Sequence, residues 1–160
     1  MASDKPDKQA GAAAIRIAAM NLLARREHSR SELADKLTRR FPDSPSIEQQ
    51  LDQLQADGLQ SDQRFTQAFI NSRIGRLQGP LKIRQELNRF GLEDGLVSHT
   101  FEALSTDWLE LALEAARRKF GAKNLTPPRE RDRARQFLYR RGFDSETCVR
   151  AIDQLRRTPS

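Results

Sequence analysis

Apolar residues recur along this chain at intervals of three and four, the period of amphipathic helices, over nearly its whole length. Between Ala12 and Arg26, the residues Ile15, Ala18, Ala19, Leu22 and Leu23 fall at i, i+3, i+4, i+7 and i+8 and predict a helix with one broad apolar face. Ser29-Arg30-Ser31-Glu32 opens a second helix. Ser29 and Glu32 stand at capping-box spacing, so the hydroxyl can accept from a first-turn amide while the carboxylate reaches back. Leu33 and Leu37 form its buried stripe, and Phe41-Pro42 ends it, because proline disfavours helical backbone in the residue before it. A third helix, from Ser46 to Asp57, turns Ile47, Leu51 and Leu54 inward and is followed by Gly58, suited to a left-handed cap.

Ser61 caps a fourth helix that carries Phe65, Phe69, Ile70, Ile74 and Leu77. Gly79-Pro80 then serves as cap and first-turn proline of a fifth, with Ile83 and Leu87 inward, ending at Phe90-Gly91-Leu92. Four more helices follow, from Glu93 to Leu104, Thr106 to Phe120, Arg129 to Arg141 and Ser145 to Arg157, with Thr126-Pro127-Pro128 as a start signal before the eighth. No segment shows the alternating pattern and β-branched enrichment of strands, so the chain is predicted to be all-α.

The pattern also repeats. Shifting the chain by 50 and then by 51 superposes Leu37, Leu87 and Leu138; Ile47, Val97 and Cys148; Leu51, Phe101 and Ile152; and Leu54, Leu104 and Leu155. Ser29 maps onto Gly79, and Phe90-Gly91-Leu92 onto Arg141-Gly142-Phe143. The expectation is three tandem three-helix repeats of about 50 residues, at 12–60, 61–105 and 106–160, after a disordered tail at 1–11. Units this small must bury one another's flanks, which predicts an elongated, curved rod.

Charge adds a direction to this picture. The formal net charge is +6, and the basic excess over acidic residues runs 0, +1 and +5 through residues 1–60, 61–105 and 106–160. Arginine supplies 22 of the 28 basic residues, a bias that suits planar, multidentate contacts with phosphate, carboxylate or peptide groups. On the eighth helix Arg129, Arg133, Gln136 and Arg140 lie opposite Leu138. The last three correspond to Lys82, Gln85 and Arg89 in the second repeat and to Glu32, Asp35 and Arg39 in the first. The first set reads as an ordinary solvated face and the third as a binding surface. Arg64, Arg73 and Arg76 on the fourth helix are further candidates, although Arg64 is placed equally well for a helix-start ion pair with Asp62. Trp108 and Tyr139 could stack on bases, but each adjoins an apolar stripe and packing is expected.

Reactive chemistry is lacking. The glycines at 75 and 79 precede Pro80 rather than the Lys-Ser or Lys-Thr of a phosphate loop, and His28 and His99 fall in different repeats, so neither nucleotide hydrolysis, a metal quartet nor a Cys/His dyad can be assembled. No enzyme, no cofactor and no metal is expected. Cys148, the lone cysteine, lies in a core column and fits a reducing cytoplasm, and no apolar run approaches the length of a membrane span.

Four segments in order, ARREHSRSELADKL (Ala24 to Leu37), SDQRF (Ser61 to Phe65), GPLKIRQELNRFGL (Gly79 to Leu92) and FLYRRGF (Phe137 to Phe143), resemble the RecX regulatory proteins of bacteria over most of the chain. The chain departs from that pattern at Ser61, where an acidic residue is common, and at Phe41-Pro42, where a glycine-containing helix end is usual. The resemblance implies a monomer that binds the RecA–DNA filament in its groove. There it would limit filament growth, ATP turnover, strand exchange and the co-protease activity that triggers the SOS response. The alternative is a free-standing module that binds single- or double-stranded DNA directly through the basic face of repeats two and three.

Overall fold

A computed structural model of the protein describes the backbone of residues 4–121 and 123–157 and the side chains of 11–121 and 123–157. Every regular element among the described residues is helical: α1 (Asp4–Arg25), α2 (Arg30–Arg40), α3 (Ile47–Ala56), α4 (Asp62–Gly75), α5 (Pro80–Leu87) running into a 3-10 turn (Asn88–Phe90), α6 (Asp94–Ala103), α7 (Trp108–Phe120), α8 (Pro128–Arg140) and α9 (Ser145–Arg157). Three helices fall to each of the three repeats, as the hydrophobic pattern predicts.

The differences lie at helix ends and have local causes. α1 begins at Asp4 rather than Ala12, so the segment expected to be a tail is helical from there; Pro6 sits in the first turn, where an absent amide proton leaves no helix bond unmade. The part of the expected tail at 1–3 lies outside the described residues. α7 starts at Trp108 because Asp107, not Thr106, is the cap, its carboxylate accepting from the Glu110 amide at 3.1 Å. At α2 half of the capping box forms: Ser29 Oγ accepts from the Glu32 amide at 3.1 Å, but the Glu32 carboxylate is held by both terminal nitrogens of Arg26, each at 2.9 Å, and does not turn back. α4 stops at Gly75, two residues short of expectation, and Leu77 takes a left-handed φ of 61°. That conformation is unfavourable for a branched residue, and the contact of Leu77 with the apolar core offsets it.

The chain folds as two compact units, one made of Met1–Ala68 with Arg89–Thr100, the other of Phe69–Asn88 with Phe101–Ser160. In the first, the core is Ile15, Ala18, Ala19, Leu33, Leu37, Ile47, Leu51 and Leu54, and Phe65 meets Phe90 edge-on at 4.8 Å. In the second, α7, α8 and α9 enclose Ala112, Ala116, Phe120, Ala134, Leu138, Cys148 and Ile152. The four repeat columns are thus core columns in the first and third repeats, apart from a half-buried Leu155; in the second, Leu87 and Phe101 are buried while Val97 and Leu104 are half-buried.

Within each unit a glycine seats one repeat against the middle helix of the repeat before it. Gly91, at φ +64°, lies so close to Ser31 in the first turn of α2 that an added Cβ would come within 2.7 Å of the serine Cβ. Gly142, at φ +100°, lies as close to Lys82 in the first turn of α5, with an added Cβ at 2.5 Å from the lysine Cβ. Ser31 and Lys82, like Gly91 and Gly142, are one 51-residue shift apart. At the second of these joints the Gly79 amide also donates to the Arg141 carbonyl at 2.7 Å and the Leu81 amide to the Gly142 carbonyl at 3.0 Å. A side chain at position 79 would collide with the Gly142 backbone, which explains why glycine stands where Ser29 caps the first repeat.

Candidate functional site

α8 buries Ala134 and Leu138 and leaves Arg129, Arg133, Gln136 and Arg140 exposed on the opposite side, as the register predicts. These cations are loosely engaged. Arg133 reaches Glu130 at 3.7 Å, and Arg140 Nε donates to the Gln136 carbonyl at 3.4 Å. Interactions of this kind between exposed groups contribute little, so the guanidinium groups remain available to a partner.

Tyr139 departs from expectation. It is 62% exposed and does not join the core, because the stripe of α8 passes through Ala134 and Leu138 and leaves the tyrosine on the adjacent flank. With Gln136, Arg135, Ser145, Cys148 and Val149 it borders a groove of about 280 Å³ between α8 and α9. An exposed aromatic ring among arginines is the composition on which bases stack. Trp108 behaves as expected, half-buried with its ring 6.2 Å from Phe101. Cys148 is a core residue: its thiol donates to the Phe143 carbonyl at 3.6 Å, and burial, with Asp144 nearby, pushes its pKa up to about 11. At neutral pH it is no nucleophile.

The remaining candidates divide. Lys82 and Gln85 belong to the same unit as α8; Gln85 is exposed, while the half-buried stem of Lys82 lies against Gly142 and has a packing role besides its charge. Arg89 belongs to the other unit, exposed, with its guanidinium 4.8 Å from the Phe90 ring. Arg73 is engaged within its unit: its Nε donates to Glu86 at 2.7 Å and its guanidinium lies 4.4 Å over Phe69, tying α4 to α5. Arg64 pairs with Glu27 at 3.0 Å rather than with Asp62. Asp62 is already occupied, accepting from the Arg30 amide at 2.8 Å and from the Gln60 side chain at 3.0 Å. Arg76 is exposed and lines a separate cleft with Lys119 and Arg141. The spacing of a single helix face could not reveal that grouping, since its members come from the end of α4, from α7 and from the residue that caps α8. No cluster of metal-binding side chains occurs among the described residues.

Comparison with known proteins places these features in a family. Models of the first, second and third three-helix domains of RecX match residues 16–54, 61–100 and 105–152 in that order. The regulatory protein RecX of Halorhodospira halophila is 45% identical, over 86% of this chain and 87% of that protein. That of Chromohalobacter salexigens is 43% identical, over 84% and 88%. Among solved structures, RecX from Lactobacillus salivarius superposes with a TM-score of 0.77 over 92% of this chain and 97% of that one; at 20% identity this likeness concerns the fold.

Proposed function

The chain belongs to the RecX family of regulatory proteins, and from that premise we propose that it is a negative regulator of the RecA recombinase. It binds in the groove of the RecA–DNA filament and limits filament extension, ATP hydrolysis, strand exchange and SOS co-protease activity. The proposed working form is a cytoplasmic monomer of three repeats, at 12–60, 61–105 and 106–160, with α8 of the third turned toward the filament. The observation that carries this reading is the combination, in one chain, of three RecX domains in family order with a cationic, solvent-facing α8 in the third. A filament groove presents both phosphates and protein carboxylates, and arginine forks serve both.

The test is RecA-dependent ATP hydrolysis on single-stranded DNA. Substoichiometric protein is expected to slow it, and the Arg133→Glu/Arg140→Glu pair, which faces solvent opposite Leu138, is expected to weaken that effect while helicity stays intact. No slowing at any ratio defeats the reading. The exposed Tyr139 among arginines supports a second reading, direct binding to bare DNA through the same face. That reading requires tight bare-DNA binding whose logarithm falls with log salt by roughly 0.7 to 0.9 per phosphate contacted; strong filament binding beside weak bare-DNA binding decides for the first.

A further inference from the structure

Apart from the exposed face of α8, the second unit contains a cleft of about 430 Å³ lined by Arg76, Arg118, Lys119 and Arg141 together with Leu77 and Phe137. Arg118 is paired with Glu114 at 2.9 Å, a carboxylate that Arg117 shares. Arg76, Lys119 and Arg141 have no carboxylate within ion-pair distance among the described residues, and the Arg141 Nε is buried without a hydrogen-bond partner. A buried charged donor left unmet is costly. Cations converging on one recess repel each other until an anion enters.

The cations are also held in place. Phe120 meets Phe137 edge-on at 5.4 Å, and the Phe137 ring in turn lies 5.9 Å from Lys119 Nζ and 5.5 Å from the Arg141 guanidinium. The Arg141 backbone is fixed on both sides, its amide donating to the Phe137 carbonyl at 3.1 Å and its carbonyl accepting from Gly79. One aromatic ring thereby lies within cation–π reach of two positive heads, and the backbone that carries one of them is fixed.

The chemistry of the lining selects among anions. Its polar side chains are donors only, since neither arginine nor lysine can accept. A peptide would bring amide hydrogens with no side-chain acceptor to meet them, whereas a phosphodiester and its deoxyribose bring acceptors alone. At about 30 Å³ per water the space corresponds to roughly 14 water molecules, more than a lone ion fills. A recess also favours a flexible strand that can turn a phosphate inward over a stiff duplex. We propose that this cleft binds a backbone phosphate of single-stranded DNA, with Arg76, Lys119 and Arg141 donating to its oxygens. This deepens the filament reading, on which it rests, by naming a contact to the polynucleotide.

Titration of the full-length protein with short oligo-dT at fixed ionic strength, followed through backbone amide resonances, tests it, with inorganic phosphate and oligoglutamate as comparison ligands. Oligo-dT is expected to shift the Arg76, Lys119 and Arg141 amides saturably, with phosphate acting at the same amides more weakly. The Arg76→Gln/Lys119→Gln pair, both exposed residues whose loss leaves the core intact, is expected to lower oligo-dT affinity about tenfold, or about 1.4 kcal/mol, and to reduce the salt slope by roughly 0.7. Arg141→Lys, which keeps the charge but loses the fork, should lose severalfold. Unmoved amides, saturation by oligoglutamate at equal or lower concentration, or wild-type affinity and slope in the double variant would each overturn the proposal. ATP-hydrolysis measurements separate the two failures. Slowing of RecA by a protein whose cleft ignores oligo-dT defeats the cleft alone, and an occupied cleft in a protein without effect on RecA defeats the filament reading alone.

Discussion

His28 is buried in the first unit with both ring nitrogens engaged, Nδ1 at 3.0 Å from the Arg26 carbonyl and Nε2 at 3.2 Å from the Lys36 ammonium. A carbonyl only accepts and an ammonium only donates, so the proton belongs on Nδ1 and the ring is neutral. Burial, reinforced by the positive charges of Arg26 and Lys36, lowers its pKa below the ordinary 6.5, against the opposing pull of the Arg26 carbonyl and Glu32. The unfolded ring takes up a proton near pH 6.5 while the folded ring resists. Stability is therefore full above about pH 6.5 and declines as pH falls toward the folded-state value. Urea denaturation at about pH 7.5 and about pH 5.5 should show a lower midpoint in acid, the unfolding free energy falling by at most about 1.4 kcal/mol per pH unit, with His28→Gln flattening the difference. Equal midpoints in the wild type would contradict this assignment. Glu32, whose pKa is also lowered, titrates below its ordinary 4.5 and leaves that window undisturbed. None of this was legible in the sequence, where His28 registered only as a histidine without a metal partner. The Arg64–Asp62 ion pair, one of the two readings that helix adjacency left open for Arg64, does not form for the same reason: Glu27 and the Arg30 amide arrive from distant positions.

At the scale of helices the sequence carried more, because a buried stripe must keep the helical period. Leu37, Leu87 and Leu138 were placed correctly by spacing alone, and so was the exposed side of α8. What spacing could not convey is how successive repeats touch, since that depends on missing side chains. Gly142 combines a left-handed φ with the closest approach to Lys82, so Gly142→Ala must meet both a backbone penalty of about 1 to 2 kcal/mol and overpacking of about 1 to 3 kcal/mol. We expect a loss of roughly 2 to 5 kcal/mol in urea denaturation. Gly95→Ala, where an added Cβ meets nothing within 4 Å, should stay within about 0.5 kcal/mol of wild type. Comparable losses at the two glycines would mean that the repeats are not joined through Gly142.

Across the whole chain, the repeat and the compact unit are different divisions. The repeat is a pattern of sequence, whereas the unit follows from which residues close around one another. The second repeat supplies α5 to one unit and the segment containing Gly91 to the other, because Gly91 is seated on Ser31 and α5 begins against Arg141 and Gly142. A cut at a repeat boundary consequently removes more than one repeat. In a chain ending before Thr106, the Gly79 and Leu81 amides lose their acceptors, and the second unit, in which Ile83 and Leu87 are buried, loses α7, α8 and α9. An eight-residue helix without tertiary support does not persist in water. Hydrogen exchange of the truncated chain should therefore show the Ile83 and Leu87 amides unprotected while those of Leu33 and Leu37, in the first unit, keep their protection. Retained protection at Ile83 and Leu87 would establish that the second repeat folds by itself and that the sequence repeat, not the compact unit, is the unit of folding.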